Sequence, residues 1–85
     1  MKLIKFGASW CGPCGVMAKR LESFDKCELK EYDVDTYEAE ELVDKYKVRN
    51  VPTLILVDDK EEVLHRWTGL IPIEEINAKI DELNK

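Results

Sequence analysis

The chain has 85 residues, 45% of them hydrophobic and 36% charged, with a formal net charge of -5. That length supports one hydrophobic core and not two, so a single domain over residues 1–85 is expected, and the composition is that of a globular rather than a disordered chain. The negative charge argues against nucleic acid and anionic membrane surfaces as partners, and no apolar stretch approaches the roughly 20 residues that cross a bilayer.

Taken in chain order, residues 2–8 (KLIKFGA) form an apolar run that predicts a strand buried on both faces. The N-terminal ten residues, MKLIKFGASW, lack the long apolar core of a signal peptide, so a cytoplasmic location is expected. After Cys11, Val16, Met17, Leu21 and Phe24 recur at helical spacing, and Pro13 falls in the first turn where it is tolerated. Residues 28–34 predict a second strand. Asp35 and Thr36 resemble a cap region, and Ala39, Leu42, Val43 and Tyr46 mark the helix that follows. Residues 52–69 contain two β-rich runs joined by the polar DDKE, the pattern of an antiparallel hairpin. Ile73, Ile76, Ile80 and Leu83 then share one face of a last helix that starts near Pro72. The order β-α-β-α-β-β-α predicts an α/β fold, a four-stranded mixed sheet with helices on both faces.

Three cysteines cannot all pair within one chain. Two of them, Cys11 and Cys14, stand two residues apart in ASWCGPCG, at the junction of a predicted strand and helix. In a reducing compartment such a pair is more often catalytic or metal-binding than structural. At the helix N-cap, free backbone N–H groups and the helix dipole favour a thiolate at Cys11, whereas Cys14, one turn inside, is expected to be more buried and to keep a higher pKa. That asymmetry suits two-step exchange: Cys11 attacks a substrate disulfide and Cys14 resolves the mixed disulfide. A zinc site needs four ligands, and beyond this pair only Cys27 and His65 are obvious soft candidates, so no metal is expected.

Trp10, Gly12 and Pro13 complete a WCGPC that resembles the thioredoxin signature. The resemblance continues through KVRNVPT (47–53) and the glycine of RWTG, Gly69, and so extends over essentially the whole chain. The chain starts at the strand leading into the motif, without the additional N-terminal strand and helix of ordinary thioredoxins. The resemblance implies a thioredoxin-like fold and a protein-disulfide reductase with no bound cofactor. It also implies a cis Pro52 against the dithiol, a Val51 backbone that pairs with substrate, a Gly69 that admits substrate closely, and a Trp10 beside the dithiol. The implied partners are disulfide-containing proteins and thioredoxin reductase as electron donor, with the chain acting as a monomer. The short length alternatively resembles glutaredoxins, which draw electrons from glutathione, and the fold also serves some family members as a docking module without catalysis.

Two departures from the family pattern concern charge and bulk. Lys5 stands where thioredoxins carry a buried Asp beneath the resolving cysteine, and Glu31 where they carry the opposing Lys, so the pair is inverted. Lys5 and Glu31 then either form a partly buried ion pair whose loss strands a charge, or serve catalysis, Glu31 accepting the Cys14 proton while Lys5 lowers the thiol pKa values. Gly7 and Gly15 replace an aromatic and a basic residue, predicting a more open surface around Cys11. Elsewhere, Cys27 and His65 are expected to be ordinary side chains, Trp67 a packing residue and the acidic run EAEE (38–41) a solvated helix face. Leu70, Ile71 and Pro72 either seal the last helix or line the substrate groove.

Overall fold

The computed structural model describes residues 1–85. Its elements are β1 (Lys2–Gly7), α1 (Gly12–Arg20), a single 3₁₀ turn (Leu21–Ser23), β2 (Glu28–Asp33), α2 (Tyr37–Tyr46), β3 (Thr53–Val57), β4 (Val63–Thr68) and α3 (Ile73–Leu83). The strands lie in the order β2-β1-β3-β4, with β1 parallel to β2 and antiparallel to β3, and β3 antiparallel to β4. This is the expected four-stranded mixed sheet.

Strand alternation divides the core into two layers. Leu3 points to the side where Met17 and Leu21 of the α1 region, Leu54 and Leu56 of β3, and Ile76 and Ile80 of α3 are buried. Ile4 and Phe6 point the other way, against Ile55, Val57 and the Tyr46 end of α2. Helices therefore cover both faces of the sheet.

Some local expectations change. The inward face of α1 is Cys14 and Met17, continued by Leu21, not the predicted stripe beginning at Val16. Val16 follows Cys14 by two residues, about 200° around the helix, and is exposed. Phe24 lies beyond the 3₁₀ turn and packs on the same core from outside the helix. The predicted second strand ends one residue early, at Asp33. Thr36 is the N-cap residue of α2, with its hydroxyl donating to Asp33 O at 2.6 Å.

The hairpin turn is organised by one side chain. Asp58 Oδ1 accepts from the backbone N–H groups of Lys60 (2.8 Å) and Glu62 (2.9 Å), while Glu61 takes the left-handed conformation. Ile71 is buried in the α3 layer and Leu70 remains exposed, so the loop after Gly69 divides between sealing the last helix and facing outward. Ile76→Ala, at a fully buried position, is expected to cost about 2–5 kcal/mol of stability. Leu83→Ala, on the same helix but 39% exposed, is expected to cost under about 1 kcal/mol, and urea unfolding of both variants measures the difference.

Candidate active site

Cys11 is the N-cap residue of α1. Its backbone is extended, its N–H donates to Ala8 O at 3.1 Å, and its sulfur accepts the Cys14 N–H at 3.2 Å. Pro13 sits in the first turn, where its missing N–H deprives the helix of nothing. Lys19 and Arg20 occupy the last turn, where cations complement the helix dipole. Cys11 and Cys14 are joined as a disulfide. Cys11 is partly exposed and Cys14 is 3% exposed, the asymmetry the sequence predicts.

The loop between α2 and β3 reaches the dithiol from the opposite side. Lys47 ends α2 in the left-handed conformation, and the Arg66 guanidinium donates to Tyr46 O and Lys47 O, anchoring that turn from β4. Thr53 Oγ1 then donates to Asn50 O at 2.6 Å. The Val51–Pro52 peptide is cis, and Val51 O lies 3.8 Å from Cys11 Sγ. Gly69 N–H donates to Pro52 O at 2.9 Å, which brings the end of β4 to the same place. Gly69 has φ +82°, a conformation that a side chain disfavours, and the space where a Cβ would stand is open. The glycine is thus favoured by the backbone conformation rather than by crowding from neighbouring atoms.

Trp10 is 68% exposed, and its indole N–H donates to Asp35 Oδ2 at 2.6 Å. Sequence reasoning assigns Asp35 to the cap region only; nothing in the local pattern links two residues 25 apart. Trp10 also borders an apolar groove of about 500 Å³ with Val34, Val43, Val48 and Val51, flanked by Arg49 and Asn50. Gly12 and Gly15 each have open space where a Cβ would stand.

Lys5 and Glu31 are partners in the parallel β1–β2 register, with Nζ 3.4 Å from Oε2. The lysine side chain is 8% exposed and the glutamate side chain 50%. Both line a cavity of about 330 Å³ that also exposes Cys11, Cys14, Gly7 and Gly15. A Cβ on Gly7 would stand 3.3 Å from Cys14 Cβ, 3.4 Å from Lys5 Nζ and 3.5 Å from Cys14 Sγ. Missing side chains therefore open the surface, as expected, on the side of the dithiol where the buried ammonium lies.

The dithiol, the proline loop and the glycine converge as the sequence resemblance implies, and comparison with known proteins agrees. The thioredoxin family model matches residues 1–82. The chain belongs to the thioredoxin family. A thioredoxin of Staphylococcus epidermidis is 36% identical, covering 96% of this chain and 81% of the relative, and one of Bacillus subtilis is 35% identical, covering 94% and 79%. Among solved structures, a mutant thioredoxin from Halobacterium salinarum superposes with a TM-score of 0.83 at 32% identity, covering 95% of this chain and 72% of that one. Thioredoxin 1 from Thermosipho africanus has a TM-score of 0.81 at 24% identity, with 98% and 93% covered, a likeness of fold.

As a thioredoxin, the chain is a thiol–disulfide oxidoreductase with Cys11 and Cys14 as its redox pair, a protein-disulfide reductase that uses no bound cofactor. Thioredoxins in general act on substrate proteins and are served by thioredoxin reductase. No helix is long and apolar enough to cross a membrane.

The remaining candidates lie apart from the dithiol. Trp67 is buried in the core, and His65 is half-buried beside it, in a T-shaped contact at 4.6 Å, rather than on the open strand surface. Glu38, Glu40 and Glu41 are exposed on α2 while Ala39 is buried. Cys27 is a free thiol packed against the α3-side core, and burial pushes its pKa up, opposed by the nearby N-terminal ammonium. A raised pKa leaves less thiolate at neutral pH. In the reduced protein Cys27 is therefore expected to alkylate more slowly than Cys11 at pH 7, its rate still climbing above the ordinary thiol range; mass spectrometry of labelled peptides across pH reads this out.

Proposed function

We propose that the chain works as one domain, residues 1–85, reducing protein disulfides by a division of labour between its two cysteines. Cys11 is the nucleophile. Its thiolate attacks one sulfur of the substrate disulfide, the substrate's second sulfur leaves with the electron pair, and a Cys11–substrate disulfide forms. Cys14 then attacks Cys11 Sγ, forming the intramolecular disulfide as the substrate sulfur bound to Cys11, the one first attacked, leaves as a thiolate. The observation that carries this assignment is the Cys11 sulfur at the N-cap of α1, accepting a backbone N–H and lying beside Val51 O.

Substrate docks across Trp10, Gly12, Pro13, Val51, Pro52 and Gly69. The Val51 backbone offers main-chain pairing, which recognises an extended segment without demanding one side-chain sequence. Trp10, held by Asp35, supplies an exposed apolar contact beside it, and Gly69 keeps the opposite flank bare. Lys5 and Glu31 serve the resolving step from beneath Cys14. Two electrons return from thioredoxin reductase, the chain acts as a monomer in the cytoplasm, and neither nucleic acid nor membrane is a partner. The net charge of -5 and the bacterial relatives support that setting.

Insulin disulfide reduction tests the reading. Turnover is expected with NADPH and thioredoxin reductase, and turnover only with glutathione and glutathione reductase would replace the proposed donor. Cys11→Ser is expected to abolish reduction, at least about a thousandfold, because no other thiolate occupies the helix N-cap. Cys14→Ser is expected to accumulate a stable mixed disulfide through Cys11, detected as a mass adduct that dithiothreitol removes.

A further inference from the structure

Lys5 is the one charged side chain in the buried layer beneath the dithiol. Its ammonium and the Cys14 sulfur face each other across the place a Gly7 side chain would fill, no farther apart than two van der Waals contacts. A lysine ammonium has three donors, and Glu31 takes one of them at 3.4 Å. Glu31 itself contacts Lys5 and makes no hydrogen bond to Cys14.

The charges of the pair do not cancel at the sulfur. The lysine side chain is 8% exposed and the glutamate side chain 50%, so solvent screens the glutamate far more than the lysine. The other titratable groups lining the same cavity are Cys11 on α1 and Tyr32 and Asp33 on β2. Asp33 Oδ1 accepts the Asp35 N–H in the turn after β2. Burial by itself disfavours a thiolate at Cys14, and a buried cation favours it. Cys14 is 3% exposed, so the cation's field acts against a desolvation cost that is nearly complete, and it does so from a lysine side chain buried almost as deeply.

We propose that Lys5 is a positioning residue that holds the reduced Cys14 as a thiolate, so that resolution of the mixed disulfide needs no general base. Glu31 moderates the cation and does not accept the Cys14 proton. In the balanced step, the Cys14 proton has already left to solvent through the cavity. The Cys14–Cys11 bond forms, the Cys11–substrate bond breaks, and the departing substrate thiolate takes a proton from solvent. The inference rests on Cys14 being the resolving thiol, but its test requires neither substrate nor electron donor, so it fails or stands apart from the insulin assay.

The experiment is ultraviolet titration of the Cys14 thiolate in Cys11→Ser/Cys27→Ala protein, alone and with Lys5→Met or Glu31→Gln added. Cys14 is expected to be mostly ionised at pH 7, well below the ordinary thiol midpoint of about 8.5, and a Cys14 that is mostly protonated at pH 7 overturns the proposal. Lys5→Met is expected to lower its ionisation constant about tenfold, and Glu31→Gln to raise it about threefold, because removing the anion leaves the cation unopposed. Opposite signs separate this from a purely structural ion pair, whose two variants lose melting temperature together without opposed thiol shifts. A Glu31→Gln constant that is unchanged or lowered overturns the proposal, as does a Lys5→Met constant within about twofold of the parent. Should Lys5→Met fail to fold, the direction of the Glu31→Gln shift decides alone.

Discussion

The structure depends on the position of β1. It has a strand on each edge and a helix layer on each face, so alternation assigns every one of its side chains to a fixed place. Leu3 joins one apolar layer, and Ile4 and Phe6 the other. Lys5 and Gly7 fall on the side of Leu3, the face that α1 covers. A one-residue slip of β1 would move the lysine into the aromatic layer of Phe6, Tyr32 and Tyr46 and leave Phe6 against the dithiol. The apolar residues thus set the register, and the register delivers an ammonium and a missing side chain to the underside of Cys14.

Strand direction does the rest of the assembly. β1 runs antiparallel to β3, and β3 to β4, so the end of β1, the start of β3 and the end of β4 meet at one end of the sheet. Those three points carry Cys11, the Val51–Pro52 peptide and Gly69. None is brought close by sequence, and each is tied by a backbone contact: Cys11 N–H to Ala8 O, Gly69 N–H to Pro52 O, and Val51 O beside Cys11 Sγ. Arg66 contributes from a distance by fixing the last turn of α2, from which the proline loop departs.

Much of this was legible in the sequence because the relevant signals are local. Hydrophobic periodicity located every strand and helix, and CGPC at a strand–helix junction located the reactive end of α1. The inverted Lys5–Glu31 pair was legible only through the family resemblance, which matched the two residues to an opposed Asp and Lys, and the parallel β1–β2 register pairs them. Val16 was misassigned to the core because a short helix gives few turns on which to test phase. The Trp10–Asp35 hydrogen bond and the Arg66 anchor were not legible, since each joins residues about 20 or more positions apart through side-chain reach that no periodicity encodes. Lys47 in the left-handed conformation was hidden as well, because neither glycine nor asparagine marks that helix end.

The two sulfurs owe their environments to different levels of structure. Cys11 draws on the backbone: a helix N-cap and an amide N–H that persist with any side chains compatible with the fold. Cys14 draws on side chains, because its own N–H is given to Cys11 and its surroundings are set by residues 5, 7 and 31. Charge or bulk at those three positions can change without altering strand order or helix phase. The Cys11 environment is therefore set by the fold, whereas that of Cys14 is adjustable within it, and the inverted Lys5–Glu31 pair is one such variation.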